Sequence, residues 1–280
     1  MQEIDVKHWC DFDAEIQRLG AQREAKTGRS LKAPLFRGLG NSEWGLQTTL
    51  ERSYPQERID ETLSFRKYYW KADAAKPAVE TLTGEKWDAV PDFVHLDRWL
   101  KEGKHHWLNR FLNEQPAIYE YLVYLRHHGF PSPLLDWTAS PYVAALFAFD
   151  AVCEGTEEVC IYEFLQDTIH ADSTNNHLFI VGPYIRSHRR HFSQQSRYSM
   201  CVRLDLEQRD YLFCPHEQAI PDAAGPNGDL FKFKIPAKER LAVLKHLDLM
   251  NINPFSVLGS EDSLVRTIAR RECLFRDWDL

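Results

Sequence analysis

The sequence predicts an α+β protein with mixed or antiparallel strands and a helical N-terminal half. Three observations carry this. Helical spacing of apolar residues dominates the first half of the chain. Period-two alternation dominates the second half. The two patterns do not alternate regularly, which argues against a βαβ repeat and a parallel sheet. With 280 residues, no internal repeat and no low-complexity linker, one domain over residues 1–280 is expected. Its core motifs fall in 30–150 and a strand-rich remainder in 155–280.

The elements follow in order. Phe12, Ile16 and Leu19 have helical spacing between Asp11 and Gly20, which predicts a short amphipathic helix ending at that glycine. Ala33 to Gly38 reads as a short strand running into a glycine turn. Residues 60–112 read as mainly helical. Pro116 suits a first helical position, Ile118, Tyr121, Leu122 and Leu125 form one face, and Gly129 closes the helix. Leu134 to Thr138 is a short strand. Ser140-Pro141 then supplies an N-cap and first helical residue for a helix carrying Val143, Ala144, Phe147 and Ala148. Val159–Leu165 and Met200–Leu206 read as strands. Phe231, Phe233 and Ile235 alternate with Lys232 and Lys234 in a half-buried strand. Helices are expected from Pro236 and from near Ser260.

Composition narrows the function classes. The chain is 44% hydrophobic and 27% charged, an ordinary globular balance that excludes disorder as the main state. Its longest apolar stretch, Val143–Phe149, is far short of the ~20 residues a membrane span needs, so no membrane partner is expected. The acidic start, Met1-Gln2-Glu3-Ile4-Asp5, has no apolar leader segment. The six cysteines form no C-x-x-C pair, so free thiols in a cytoplasmic setting and no metal site are expected. A net charge of −7 argues against coating nucleic acid. Yet no Asp or Glu occurs from Ser173 to Leu204, where Arg186, Arg189, Arg190, Arg197 and Arg203 fall with His177, His188 and His191. A local cationic surface on an acidic protein suits an anionic small molecule or a nucleotide, though such runs also serve as plain solvated faces.

Two segments concentrate polar groups on apolar elements. In Phe36-Arg37-Gly38 an arginine follows an apolar strand, where it projects a guanidinium into a cleft or forms a structural ion pair. In Leu125 to Pro141, Asp136, Thr138 and Ser140 lie between an apolar strand and an apolar helix whose first N–H groups favour anions. His127 or His128 is placed to close the other wall, or to cap the preceding helix. Alternation makes Trp137 a packing residue, while Asp136 shares the face of Thr138. No G-x-S-x-G, G-x-x-x-x-G-K-[ST], H-E-x-x-H or dinucleotide fingerprint is present.

Together these segments carry a resemblance. F-R-G at 36–38 is followed by Trp44, Leu46, Thr49, Leu50 and Arg52. From His127 the chain then reads H-x-G-x-P-x-x-L-L-D-W-T-x-S-P-x-x-A-x-x-F-A. This resembles the FRG domain family over roughly residues 30–150. His127-His128-Gly129 replaces the more usual His-aromatic-Gly, and Ser196-Arg197 stands where such proteins often have glycine after Gln194-Gln195.

The order of an arginine strand, a Thr-x-Ser strand entering a helix and a polar residue before a later strand is also similar to ADP-ribosyltransferases. That resemblance implies an ADP-ribosyltransferase-like fold and NAD as the substrate. It places Arg37, Gly38, His127 and Asp136 in cofactor binding, and Gln195, Thr138, Ser140 and His128 in catalysis. Gln195 stands where those enzymes carry a glutamate. Glu217 and Glu261 are the alternatives for that carboxylate. The competing expectation is a non-catalytic nucleotide- or anion-binding module. A third, a hydrolase or nuclease using Asp136 with His127 or His128, would call for a metal, and one carboxylate counts against it. No residue reveals a macromolecular acceptor.

Overall fold

The computed structural model describes residues 1–27, 33–54, 63–102, 108, 112, 114–165, 170–171, 176–181, 189–219 and 230–276. It is an α+β fold built on one mixed sheet, antiparallel at every pairing except that of its first and last strands.

In chain order the elements are β1 (Gln2–Asp5), α1 (Phe12–Thr27), β2 (Leu35–Leu39), α2 (Thr49–Ser53), α3 (Phe65–Thr83), α4 (Phe93–Glu102), α5 (Pro116–His127), β3 (Leu135–Thr138) and α6 (Pro141–Asp150). They continue with β4 (Glu158–Phe164), β5 (His170–Ala171), β6 (Asn176–Val181), α7 (Arg189–Ser193), β7 (Ser196–Asp205), β8 (Asp210–Phe213), α8 (His216–Ala219) and β9 (Leu230–Pro236). The last helices are α9 (Arg240–Leu249), α10 (Pro254–Leu258) and α11 (Glu261–Ala269). The strand order is β1-β9-β4-β2-β3-β7-β6-β5, with β8 on β7.

Alternation along the strands assigns the layers. Phe36, Val159, Ile161, Phe233 and Ile235 face α1, α6 and α9 in one core cluster. Tyr198, Met200 and Val202 of β7 face α3, α4 and α5 in a second cluster. Leu35, Leu39, Leu135, Trp137, Cys160 and Tyr162 point to the opposite side and form a third. The helices of the first two clusters thus lie on one face in two groups that meet near β2 and β3, while the short α8 packs in the third cluster through Ala219.

Local chemistry explains most ends. Ser140 caps α6 by accepting from the Val143 amide, with Pro141 in the first turn. Gly129, φ 87°, turns the chain after α5. Ser260 caps α11. Two expected ends are corrected. α1 runs through Gly20 to Thr27 rather than stopping there, because a lone glycine only weakens a helix and other contacts carry it on. β2 continues through Gly38 to Leu39, so the F-R-G tripeptide is mid-strand and not a turn. The strand β1, parallel to β9, has no counterpart in the sequence reading. No described helix is long and apolar enough to cross a membrane. All six cysteines are free thiols.

Candidate functional site

The site begins as a defect in the sheet. β2 and β3 share one ladder pair, Phe36 opposite Thr138. On their other edges β2 pairs with β4 and β3 pairs with β7 along their lengths, while no second ladder pair joins β2 to β3 among the described residues. The Arg37 side chain bridges the gap. Its Nη1 donates to the main-chain carbonyl of Asp136 at 2.8 Å and meets the Asp136 carboxylate at 3.0 Å. A side chain here makes a bond that a neighbouring strand would otherwise supply.

Asp136 is shared. Arg126, at the end of α5, pairs with the same carboxylate oxygen and donates to Thr49 Oγ1 at 3.1 Å. The Arg37 and Arg126 side chains are only 10% and 11% exposed, whereas Asp136 is 43% exposed. Arg52 of α2 brings a third guanidinium to the same wall and donates to the Gln47 carbonyl at 3.1 Å. The arginines feel one another. Burial pushes Arg126 down to about 9, reinforced by the like charges of Arg37 and Arg52. Burial also pushes Arg37 down to about 10. Both stay cationic at neutral pH. The nearby carboxylates of Glu51 and Glu217 are engaged with main-chain amides, those of Thr48 and Leu46. The wall therefore mixes the guanidiniums of Arg37, Arg52 and Arg126 with the carboxylates of Asp136, Glu51 and Glu217. Within it the buried Arg37 Nε has no hydrogen-bond partner among the described residues, a condition that costs roughly 1–3 kcal/mol unless something accepts from it.

Of these groups Arg37, Arg52 and Asp136 line a cleft of about 440 Å³. Its polar lining includes Arg37, Gln47, Arg52 and Asp136. Its apolar lining includes Leu39, Trp44 and Phe147, together with Gly40 and Gly45. Gly38 serves packing: an added Cβ would collide with the main-chain carbonyl of Ala144 and stand 2.9 Å from the Ala148 nitrogen. α6 thus presses directly on β2, which fixes Arg37 beside it.

Of the sequence-predicted residues, the cleft gathers Arg37, Gly38, Asp136 and Thr138. Thr138 is buried, and its hydroxyl accepts from the Ser140 amide at 3.0 Å. Ser140 in turn caps α6, so its hydroxyl and the first amides of that helix are engaged, and Phe147 and Ala151 supply the helix's share of the lining. Gln195, with φ 48°, accepts from the Ala139 amide through its carbonyl, and Gln194 lines the cleft in its place. His127 Nε2 meets the Tyr198 hydroxyl at 2.9 Å, and exposed His128 packs on Tyr124 with ring centroids 4.4 Å apart. Neither histidine is among the lining residues, so the expected second wall is formed by Trp44, Gln47 and Arg52 instead. Glu217 sits beside Gly45 at the cleft's edge. Glu261 is in the first turn of α11, outside the lining. Of the basic stretch, Arg190 donates to the Leu258 carbonyl at 2.9 Å. Arg186 and His188 lie outside the described residues. Among the described residues no three His, Cys, Asp or Glu side chains are placed to hold a metal ion.

The residue that sequence reasoning missed most is Arg126. It lies four residues after Leu122 and seven after Tyr119, on the buried side of α5. A charge continuing an apolar stripe is the signal that could have exposed it.

The site is thus an α+β sheet joined by a single pair at β2 and β3, with Arg37 bridging the two strands beside a cleft. The family model of the FRG domain matches residues 32–157, so this chain contains an FRG domain. That span includes Arg37, Arg52, Arg126, Asp136 and Thr138, while Gln194 lies beyond it. No curated protein and no solved structure gives a significant match.

Proposed function

We propose that the cleft of this FRG domain binds a nucleotide diphosphate, with NAD the first candidate. One observation carries the reading: a buried arginine, Arg37, stands in a cleft with its Nε–H unpaired and a second arginine, Arg52, beside it. An oxygen of a phosphate group would accept from that Nε and from the outer guanidinium nitrogen, the forked geometry that suits arginine to phosphate. The volume is in the range of nucleotide and small-ligand pockets, roughly 300–1,000 Å³. Thr138 and Gln194 add polar contacts near the centre.

A second reading, consumption of NAD by a transferase or glycohydrolase, is favoured by Asp136. Among the described lining residues it supplies the carboxylate, held between Arg37 and Arg126. In such a reaction the C1′–N bond of the nicotinamide riboside breaks. Its electron pair leaves with nicotinamide, and the ribose gains oxocarbenium character that a carboxylate steadies. Water or an acceptor hydroxyl then attacks C1′ and loses its proton. Asp136 takes the role that the sequence resemblance gave to the position of Gln195.

The test is a calorimetric titration with NAD and with ADP-ribose, paired with chromatographic detection of free nicotinamide. Saturable binding of both supports the proposal. Nicotinamide in molar excess over protein selects consumption, and binding without release selects the non-catalytic module. Absence of binding by either compound rejects the nucleotide reading.

A further inference from the structure

We infer that Trp44 is a specificity residue that stacks on the planar ring of the ligand, so that the cleft selects a base-bearing phosphate over a sugar phosphate. This rests on the proposal that the arginines take phosphate. The cleft lining combines two chemistries: guanidiniums at Arg37 and Arg52, and apolar side chains at Leu39, Trp44 and Phe147. A ligand that meets both must join an anion to an apolar group. Trp44 is the part of that apolar lining left open, with 44% of its surface exposed. Among the described residues its indole contacts no other ring.

The backbone beneath it is nonetheless held firmly. The Tyr162 hydroxyl donates to the Trp44 carbonyl at 3.1 Å, the Trp44 amide donates to the Asn41 carbonyl at 3.2 Å, and Glu217 holds the Leu46 amide at 3.0 Å. Glycines flank the indole. At Gly40 an added Cβ would collide with the Ala151 carbonyl, and at Gly45 it would stand 3.0 Å from the Glu217 carboxylate. The turn that carries Trp44 therefore packs closely against its neighbours. An exposed aromatic on a tethered backbone, in the same lining as two arginines, is pre-organised for stacking, because little freedom is lost when a ring covers it. A flat heteroaromatic base suits such a surface whatever its hydrogen-bond pattern.

The experiment compares AMP with ribose 5-phosphate, which share sugar and phosphate and differ by the base. Both are titrated into the full chain, its Trp44→Leu variant and its Trp44→Phe variant. Wild type should bind AMP more tightly by about ten-fold, the scale of one base–aromatic stack. Trp44→Leu should bring the ratio close to one with ribose 5-phosphate affinity unchanged, and Trp44→Phe should keep most of the preference. Equal affinity for the two compounds in wild type overturns the inference and leaves the phosphate reading standing, as does a preference that survives Trp44→Leu. Failure of both compounds to bind overturns the inference together with the reading on which it rests.

Discussion

Arg37 grips Asp136 twice, at its main-chain carbonyl and at its carboxylate, across the gap in the ladder between β2 and β3. One guanidinium thus replaces a missing strand contact and presents its charge to a cleft. The same side chain keeps a buried Nε–H with no hydrogen-bond partner among the described residues.

Gly38→Ala tests the close packing that sets Arg37 in place. The new Cβ would meet main-chain atoms of Ala144 and Ala148, which cannot swing aside as a flexible side chain would. The variant should lose about 1–3 kcal/mol or more, the range of core overpacking. Urea unfolding measures it, and a neutral substitution would show that α6 and β2 have room between them.

Asp136→Asn removes the charge that holds Arg37 and Arg126 together. Like charges then face one another without a counter-ion, so the fold should soften while an anion in the cleft is attracted more strongly. ADP-ribose should bind as tightly as before or tighter. If wild type releases nicotinamide from NAD, this variant should lose that release, because an amide cannot steady an oxocarbenium ion. Weaker ADP-ribose binding in a folded variant would contradict the electrostatic account.

Trp137→Ala tests the packing beneath the cleft. Trp137 is buried, packs at a tilt against Phe164 with ring centroids 5.4 Å apart and donates from Nε1 to the Ser199 hydroxyl at 2.8 Å. Truncation should cost about 3–5 kcal/mol, seen as a lower denaturation midpoint.

His216 predicts a pH dependence. It is buried on the first turn of α8, and burial, helped by the charge of Arg37, pushes it down from the ordinary 6.5 to about 3. Between those values the unfolded chain takes a proton that the folded chain refuses. Its contribution is therefore complete above pH 6.5 and is lost as pH falls toward 3, by at most about 1.4 kcal/mol per unit. His216→Leu should flatten the fall in stability between pH 6.5 and 4, followed by urea unfolding. An unchanged slope would mean that His216 titrates normally.

Much of this was legible in the sequence. The Ser140-Pro141 cap, the Phe231–Ile235 alternation and the pair of FRG segments depend on local spacing, and local spacing survives into the fold. The neighbours of each strand do not follow from spacing. Register is chosen by tertiary pairing, which is why the gap between β2 and β3 and the terminal strand β1 were not foreseen. The shift from Gln195 to Gln194 has the same origin: a single left-handed residue redirects the chain, and nothing in a pair of glutamines announces which one takes it. Arg126 was hidden because a charged residue at a helix end ordinarily faces solvent.

The central claim is that Arg37 binds phosphate, and calorimetry of ADP-ribose with wild type and Arg37→Lys tests it most directly. Lysine keeps the charge and loses the forked donors. The account predicts saturable binding to wild type and a weakening of about ten-fold or more in the variant, equivalent to about 1.4 kcal/mol. Equal affinity in a folded Arg37→Lys protein would contradict it and leave Arg37 as a strand-bridging residue alone.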